Sequence, residues 1–178
     1  MVVLIGAVII VGALCLLDLL LTFGVIRRLR EHSEMLARNQ SGGDDAVGLT
    51  AGKAVEAFTA TDNEGAAARG PSGLSVVAFF STTCPVCPER APAFIDYVRG
   101  HRVSRAEVLA VIIGQGPESV PYLADLTEVA RVCTESPDGV IGRAFAVRGV
   151  PAFFVLDAGG TVRWSGYDPS ALPAPVAV

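Results

Sequence analysis

Cys84 and Cys87, in the stretch SVVAFFSTTCPVCPERAPAF at residues 75–94, are the side chains best placed for chemistry. They stand where a run of strand-type residues gives way to a run that reads as helix. Backbone N–H groups at a helix start have no intrahelical partner, and the helix dipole is positive there. A sulfur at that point is favoured as thiolate, and therefore as a nucleophile. With two residues between them the sulfurs lie one helical turn apart, close enough to join as a disulfide. Cys84, nearer the end, then reads as the attacking thiol and Cys87, further in, as the resolving one. Pro85 suits a first helical position, where a missing N–H costs nothing.

The same spacing also serves zinc, which needs two further ligands. The remaining candidates are scattered: His32 is far upstream, His101 reads as a solvated loop residue, and Cys133 stands alone. No metal site is expected. Cys133 falls in ARVCTESPDG, read as a short strand, and is taken as buried and inert, a third redox thiol being the alternative.

The elements that must hold the pair follow from hydrophobic patterning. Residues 54–60 read as a short edge strand followed by a turn at DNEG. Residues 74–80 form a continuous apolar run of the kind buried on both faces of a sheet. Helix is expected over 88–99, a second buried strand over 108–113, helix over 119–130 and a short helical piece over 140–147. PAFFVLD, a Gly-Gly turn and TVRWSGY read as a hairpin, 152–157 with 161–166. Strands separated by helices give a mainly parallel sheet, with the hairpin adding an antiparallel edge. The last residues, DPSALPAPVAV, are rich in Pro and Ala without periodicity and are expected to be loosely ordered.

The sequence has 178 residues, 51% of them hydrophobic, and a net charge of −4. Residues 2–17 are an unbroken apolar run that 19–26 extend past Asp18, and spanning a bilayer takes about 20 such residues. No Lys or Arg precedes the run, and Leu14 stands where a lipoprotein signal ending at Cys15 wants a small residue, so an uncleaved anchor is expected. Asp18 then sits within a turn of the interface, or pairs with a partner helix. Ile26, Leu29, Met35 and Leu36 recur at helical spacing among charges, so the helix is expected to continue beyond the lipid into a linker, NQSGGDDAVG. The expected organisation is an anchor over 1–26, a juxtamembrane helix and linker over 27–52, a folded domain over 53–168 and a tail over 169–178. Apart from Arg27, Arg28 and Arg30 there is no basic cluster, so nucleic-acid binding has no electrostatic footprint.

TTCPVCPERAP, the apolar strand before it and GVPAFFVLDAGGTVRWSGY together resemble membrane-anchored thioredoxin-fold proteins of the TlpA kind. The anchor with its Arg/Glu-rich helix is similar to MauD-type accessory proteins of methylamine utilisation. The resemblance covers residues 53–167. It implies an α/β thioredoxin-like fold, a central mixed sheet flanked by helices, preceded by one transmembrane helix. It matches Pro92 to the proline that kinks the active-site helix, and Val150-Pro151 to a cis-proline facing the disulfide. A cis bond there would leave the Val150 backbone free to pair with an extended peptide, so the implied substrate contacts are Val150, Pro151 and Pro85. Two positions depart from thioredoxins. Ala78 replaces a buried acid six residues before the first cysteine, and Thr83 replaces the usual Trp.

Thiol–disulfide exchange with protein substrates is the function these residues favour, with the disulfide itself in place of any cofactor. A membrane electron-transfer partner is expected, and lipid contact through the anchor. A single-client maturation role is the non-enzymatic alternative. Thiol peroxidase activity fits less well: Ser81 fills the hydroxyl position of the peroxidatic motif, but Val77 stands where that motif has proline. The arginines after the anchor argue for a cytoplasmic domain, whereas disulfide chemistry and the resembled proteins argue for an extracytoplasmic one. The expectation leans to the latter.

Overall fold

The computed structural model describes Met1, Gly12 and residues 46–116 and 120–175. The expected anchor and juxtamembrane helix, with Cys15, Asp18, Arg27, Arg28, Arg30 and His32, lie outside the described residues, as does Ser119. Among the described residues no helix is long and apolar enough to cross a membrane.

The chain first makes a small antiparallel pair, β1 (Phe58–Thr61) with β2 (Ala67–Gly70). The DNEG turn joins them because the Asp62 carboxylate accepts from the Glu64 and Ala66 N–H groups, a side-chain mimic of a backbone turn. Strand was expected over 54–60. Instead Ala54 makes only an isolated bridge to Thr161, and the paired segment starts at Phe58. β2 carries only one buried side chain, Ala68, too little pattern to mark a strand.

The main sheet has five strands in the order β5-β4-β3-β6-β7. β3 (Val76–Ser81), β4 (Val108–Ile113) and β5 (Arg131–Glu135) run parallel, and β6 (Ala152–Leu156) and β7 (Val162–Gly166) add antiparallel pairs. This is the mixed sheet the patterning implies. β3 is central and buried on both faces, with Val76, Ala78 and Phe80 on one and Val77 and Phe79 on the other, as the two-residue period of a strand requires.

Helix α1 (Cys87–His101) and helix α2 (Leu123–Val129) cover the first face. Helix α3 (Val140–Ala144) and the β1–β2 hairpin cover the second, where Phe145 and Phe154 pack with Phe79, and Phe58 with Phe145. α2 is shorter than the patterning suggests: Pro121 disfavours helical backbone at the residue before it, Tyr122 is the N-cap, and Ala130 is already extended. α3 ends early as well; Ala146 takes a left-handed φ of 48°, which closes the turn that follows.

The tail departs from expectation. Residues 169–171 form a 3-10 turn, Asp168 caps it by accepting from the Ser170 N–H, and Leu172 is buried in the α1–α2 core. His101 also differs: it is the last residue of α1, its Nδ1 2.9 Å from the Tyr97 carbonyl oxygen, rather than a loop residue.

Candidate active site

The end of β3 sets the site. After Ser81 the chain crosses to the neighbouring strand, where the Thr82 N–H donates to the Ile113 carbonyl, and the Cys84 N–H turns back to the Ser81 carbonyl. This turn delivers Cys84 in front of α1. The helix starts at Cys87, one residue before the expected 88–99, with Pro88 in its first turn, and Pro85 lies in the preceding turn rather than at a first helical position. Val86 is the N-cap and offers no side-chain acceptor. The cap is supplied by sulfur: the Cys87 N–H donates to Cys84 Sγ at 3.1 Å.

Cys84 and Cys87 are joined as a disulfide, with Cα atoms 5.5 Å apart. Their surroundings differ. Cys87 is 0% exposed, beneath α1 and against the sheet, whereas Cys84 is half-buried beside Val86, which is 43% exposed. An incoming sulfur can therefore reach Cys84 and not Cys87. The order of reactivity read from the spacing has a steric basis here.

Across the groove, Cys84 Sγ lies 3.8 Å from the Val150 carbonyl oxygen, although 66 residues separate them. Strand register explains the approach. β6 pairs with β3 so that Ala152 faces Phe79, and the residues just before Ala152 therefore come alongside the end of β3. Val150–Pro151 is a cis peptide bond. Among the described residues no hydrogen bond engages the Val150 N–H, so that edge is open.

Several other residues are placed plainly. Pro92 sits inside α1. Ala78 is fully buried between Ala110 and Phe153 on the neighbouring strands, so no acid stands beneath the sulfurs at that point. Ser81 Oγ lies 3.2 Å from Thr83 Oγ1 and accepts from the Thr83 N–H; that hydroxyl is turned to its neighbour.

Cys133 is 1% exposed, on the opposite face of the sheet from the disulfide. Burial pushes its thiol up to about 11, helped by the nearby Asp62 carboxylate. Asp62 itself is buried; burial pushes its carboxyl up, but hydrogen bonds from Arg131 and from the Ala66 and Glu64 N–H groups, with the guanidinium charge, hold it below its ordinary value. Among the described residues no three His, Cys, Asp or Glu side chains are grouped to hold a metal ion.

Two features near this helix escaped the sequence reading. Tyr122 packs on Phe80 with its hydroxyl buried and, among the described residues, unpartnered, and burial raises that phenol to about 12. The tail residues 168–173 lie along α1. The Asp-Pro-Ser sequence at 168–170 is a capping signal that could have revealed the second.

A model of the AhpC/TSA family matches residues 51–165, a segment containing both cysteines and Pro151. No curated protein matches the sequence. Among solved structures, the chain is similar to the thioredoxin domain of a thiol-disulfide oxidoreductase from Bacteroides vulgatus, with 16% identity, a TM-score of 0.54, and 67% of this chain and 90% of that one covered. It is also similar to a secreted disulfide oxidoreductase of Mycobacterium tuberculosis homologous to E. coli DsbE, with 23% identity, a TM-score of 0.50, and coverage of 64% and 85%. A third is a putative thioredoxin from Neisseria meningitidis, with 23% identity, a TM-score of 0.52, and coverage of 64% and 78%. At these identities the likeness shows the thioredoxin-like fold.

Proposed function

The chain belongs to the AhpC/TSA family, and from that premise we propose that it is a membrane-tethered thiol–disulfide oxidoreductase acting on protein substrates through Cys84 and Cys87. One observation carries the reading: a disulfide whose half-buried sulfur, capped by the Cys87 N–H, stands in front of a fully buried one.

From the disulfide form, a substrate thiolate attacks Cys84 Sγ, and the Cys84–Cys87 bond breaks with its electron pair leaving on Cys87. A second substrate thiolate then attacks the substrate sulfur of that mixed disulfide. The substrate gains a disulfide, and the protein gains two electrons as two thiols. In the reverse direction the Cys84 thiolate attacks a substrate disulfide, and the Cys87 thiolate resolves the adduct by attacking Cys84. The Cys87 N–H stabilises negative charge on Cys84 in either direction, as does the positive end of the helix dipole. The open Val150 edge beside the cis Pro151 suits main-chain pairing with an extended peptide, and Pro85, exposed next to Cys84 in the chain, is the further substrate contact of this reading.

Tethering rests on the apolar run of residues 2–26. In this reading the TlpA/MauD-type anchor holds the domain on the extracytoplasmic side, and a membrane protein exchanges electrons with the pair.

The test is a full-length Cys87→Ser variant in cells, with adducts resolved on non-reducing gels. Mixed disulfides on Cys84 that vanish in Cys84→Ser support the reading. Their absence contradicts it.

A further inference from the structure

The first turn of α1 carries Cys87 and the N–H that caps Cys84, and it is the least secured part of that helix. Pro92 has no N–H to give the Pro88 carbonyl, so the ladder is interrupted where the turn joins the rest of the helix. Residues 168–173 bridge that interruption. On the cysteine side, Arg90 pairs with Asp168 at 2.9 Å. Beyond Pro92, the Tyr97 hydroxyl donates to the Pro173 carbonyl at 2.6 Å. Between these points Pro169 is buried, and Leu172 is 9% exposed in the core that α1 shares with the sheet. Asp168 Oδ1, which holds Arg90, also caps the 3-10 turn, so the strap is folded rather than draped.

We propose that the C-terminal segment 168–173 is a splint across the Pro92 break, and that Tyr97, Leu172 and Asp168 are positioning residues for the redox pair. They touch neither sulfur. They fix the helix start whose Cys87 N–H and dipole favour the Cys84 thiolate, and this role rests on the oxidoreductase reading above.

Leu172→Ala and Tyr97→Phe, in the full reduced chain, change no charge near the sulfurs. The measurement is the rate of Cys84 alkylation against pH, with each cysteine identified by mass spectrometry. The splint predicts a midpoint moved to higher pH and a rate below the midpoint reduced about threefold, the size expected from misaligning a helix terminus. The high-pH plateau stays unchanged, which loss of folding alone would not give. A chain ending at Tyr167 removes the splint whole, and because its new terminal carboxylate stands one residue from the lost Asp168 carboxylate, local charge changes little and the midpoint should rise. Unmoved midpoints in both point variants, or a midpoint that does not rise in the shortened chain while it still unfolds cooperatively, overturn the splint. A wild-type Cys84 that reacts no faster than an ordinary thiol contradicts instead the oxidoreductase reading on which it rests.

Discussion

Cys87 donates its backbone N–H to the sulfur of Cys84 across 3.1 Å. One residue thus hides its own sulfur in the core and offers its amide to the other, so the two cysteines are unequal before any substrate arrives.

That inequality predicts which sulfur carries an adduct. With both thiols free, a limiting amount of a maleimide is expected to label Cys84 first, because Cys87 is 0% exposed and capped by α1. Peptide mapping after a short pulse reads the ratio. Equal labelling of both in the folded chain would mean that the buried position opens readily.

Cys133 is expected to play no part. It lies on the other face of the sheet, and burial pushes its thiol up to about 11. Cys133→Ala should leave exchange rates unchanged, and its thiol should label only after denaturation. A rate that falls in a variant with unaltered stability would restore it as a third redox group.

Asp62 and Arg131 predict an acid limit to stability. Arg131 donates to the buried carboxylate through Nε and Nη2 and reaches the Ala67 carbonyl as well, tying the β1–β2 hairpin to β5. The folded-state pKa lies below the ordinary 3.8. The pair's contribution is therefore fully present above 3.8 and lost as pH falls through the lower folded value. Asp62→Asn should destabilise by on the order of 2–3 kcal/mol at neutral pH, since it leaves a guanidinium facing a neutral partner. Denaturant midpoints at pH 7 and pH 3 check this: the wild-type advantage should shrink at the lower pH.

Phe80 is the core residue beneath the site, in contact with Phe94, Tyr122 and Phe153. Phe80→Ala should cost about 3–5 kcal/mol. Thermal unfolding measures it, and a loss under about 1 kcal/mol would mean that this core collapses around the gap.

Ser81 is not expected to support peroxide chemistry. Its hydroxyl engages Thr83 rather than Cys84. Ser81→Ala should leave thiol exchange within about twofold, the usual effect of a surface hydroxyl, and the chain should consume hydrogen peroxide no faster than a free thiol does. Rapid consumption abolished by Ser81→Ala would reverse the assignment.

What was legible in the sequence was whatever a continuous pattern carries. β4 runs over Val108–Ile113, as its apolar run between charged and glycine boundaries indicates. The cysteine turn was legible because strand, Cys-x-x-Cys and helix follow one another in the chain. The approach of Val150 to Cys84 depends on how β6 registers with β3, which no local pattern states, and only the family resemblance suggested it. Pairing of β4 with β5 places Val111 beside Cys133, and the face Cys133 shares follows from that pairing rather than from its neighbours in sequence. The docked tail was missed because it is held by single contacts, Asp168 with Arg90, Tyr97 with Pro173 and Leu172 with the core. None of these repeats at a helical or strand period.

The most direct test of the central claim is the equilibrium of the full chain with glutathione buffers of stepped redox ratio, quenched in acid and resolved by mass spectrometry. The account predicts that Cys84 and Cys87 pass reversibly between disulfide and dithiol, with any glutathione adduct on Cys84. A pair that does not exchange at any ratio, or an adduct carried on Cys87, would contradict it.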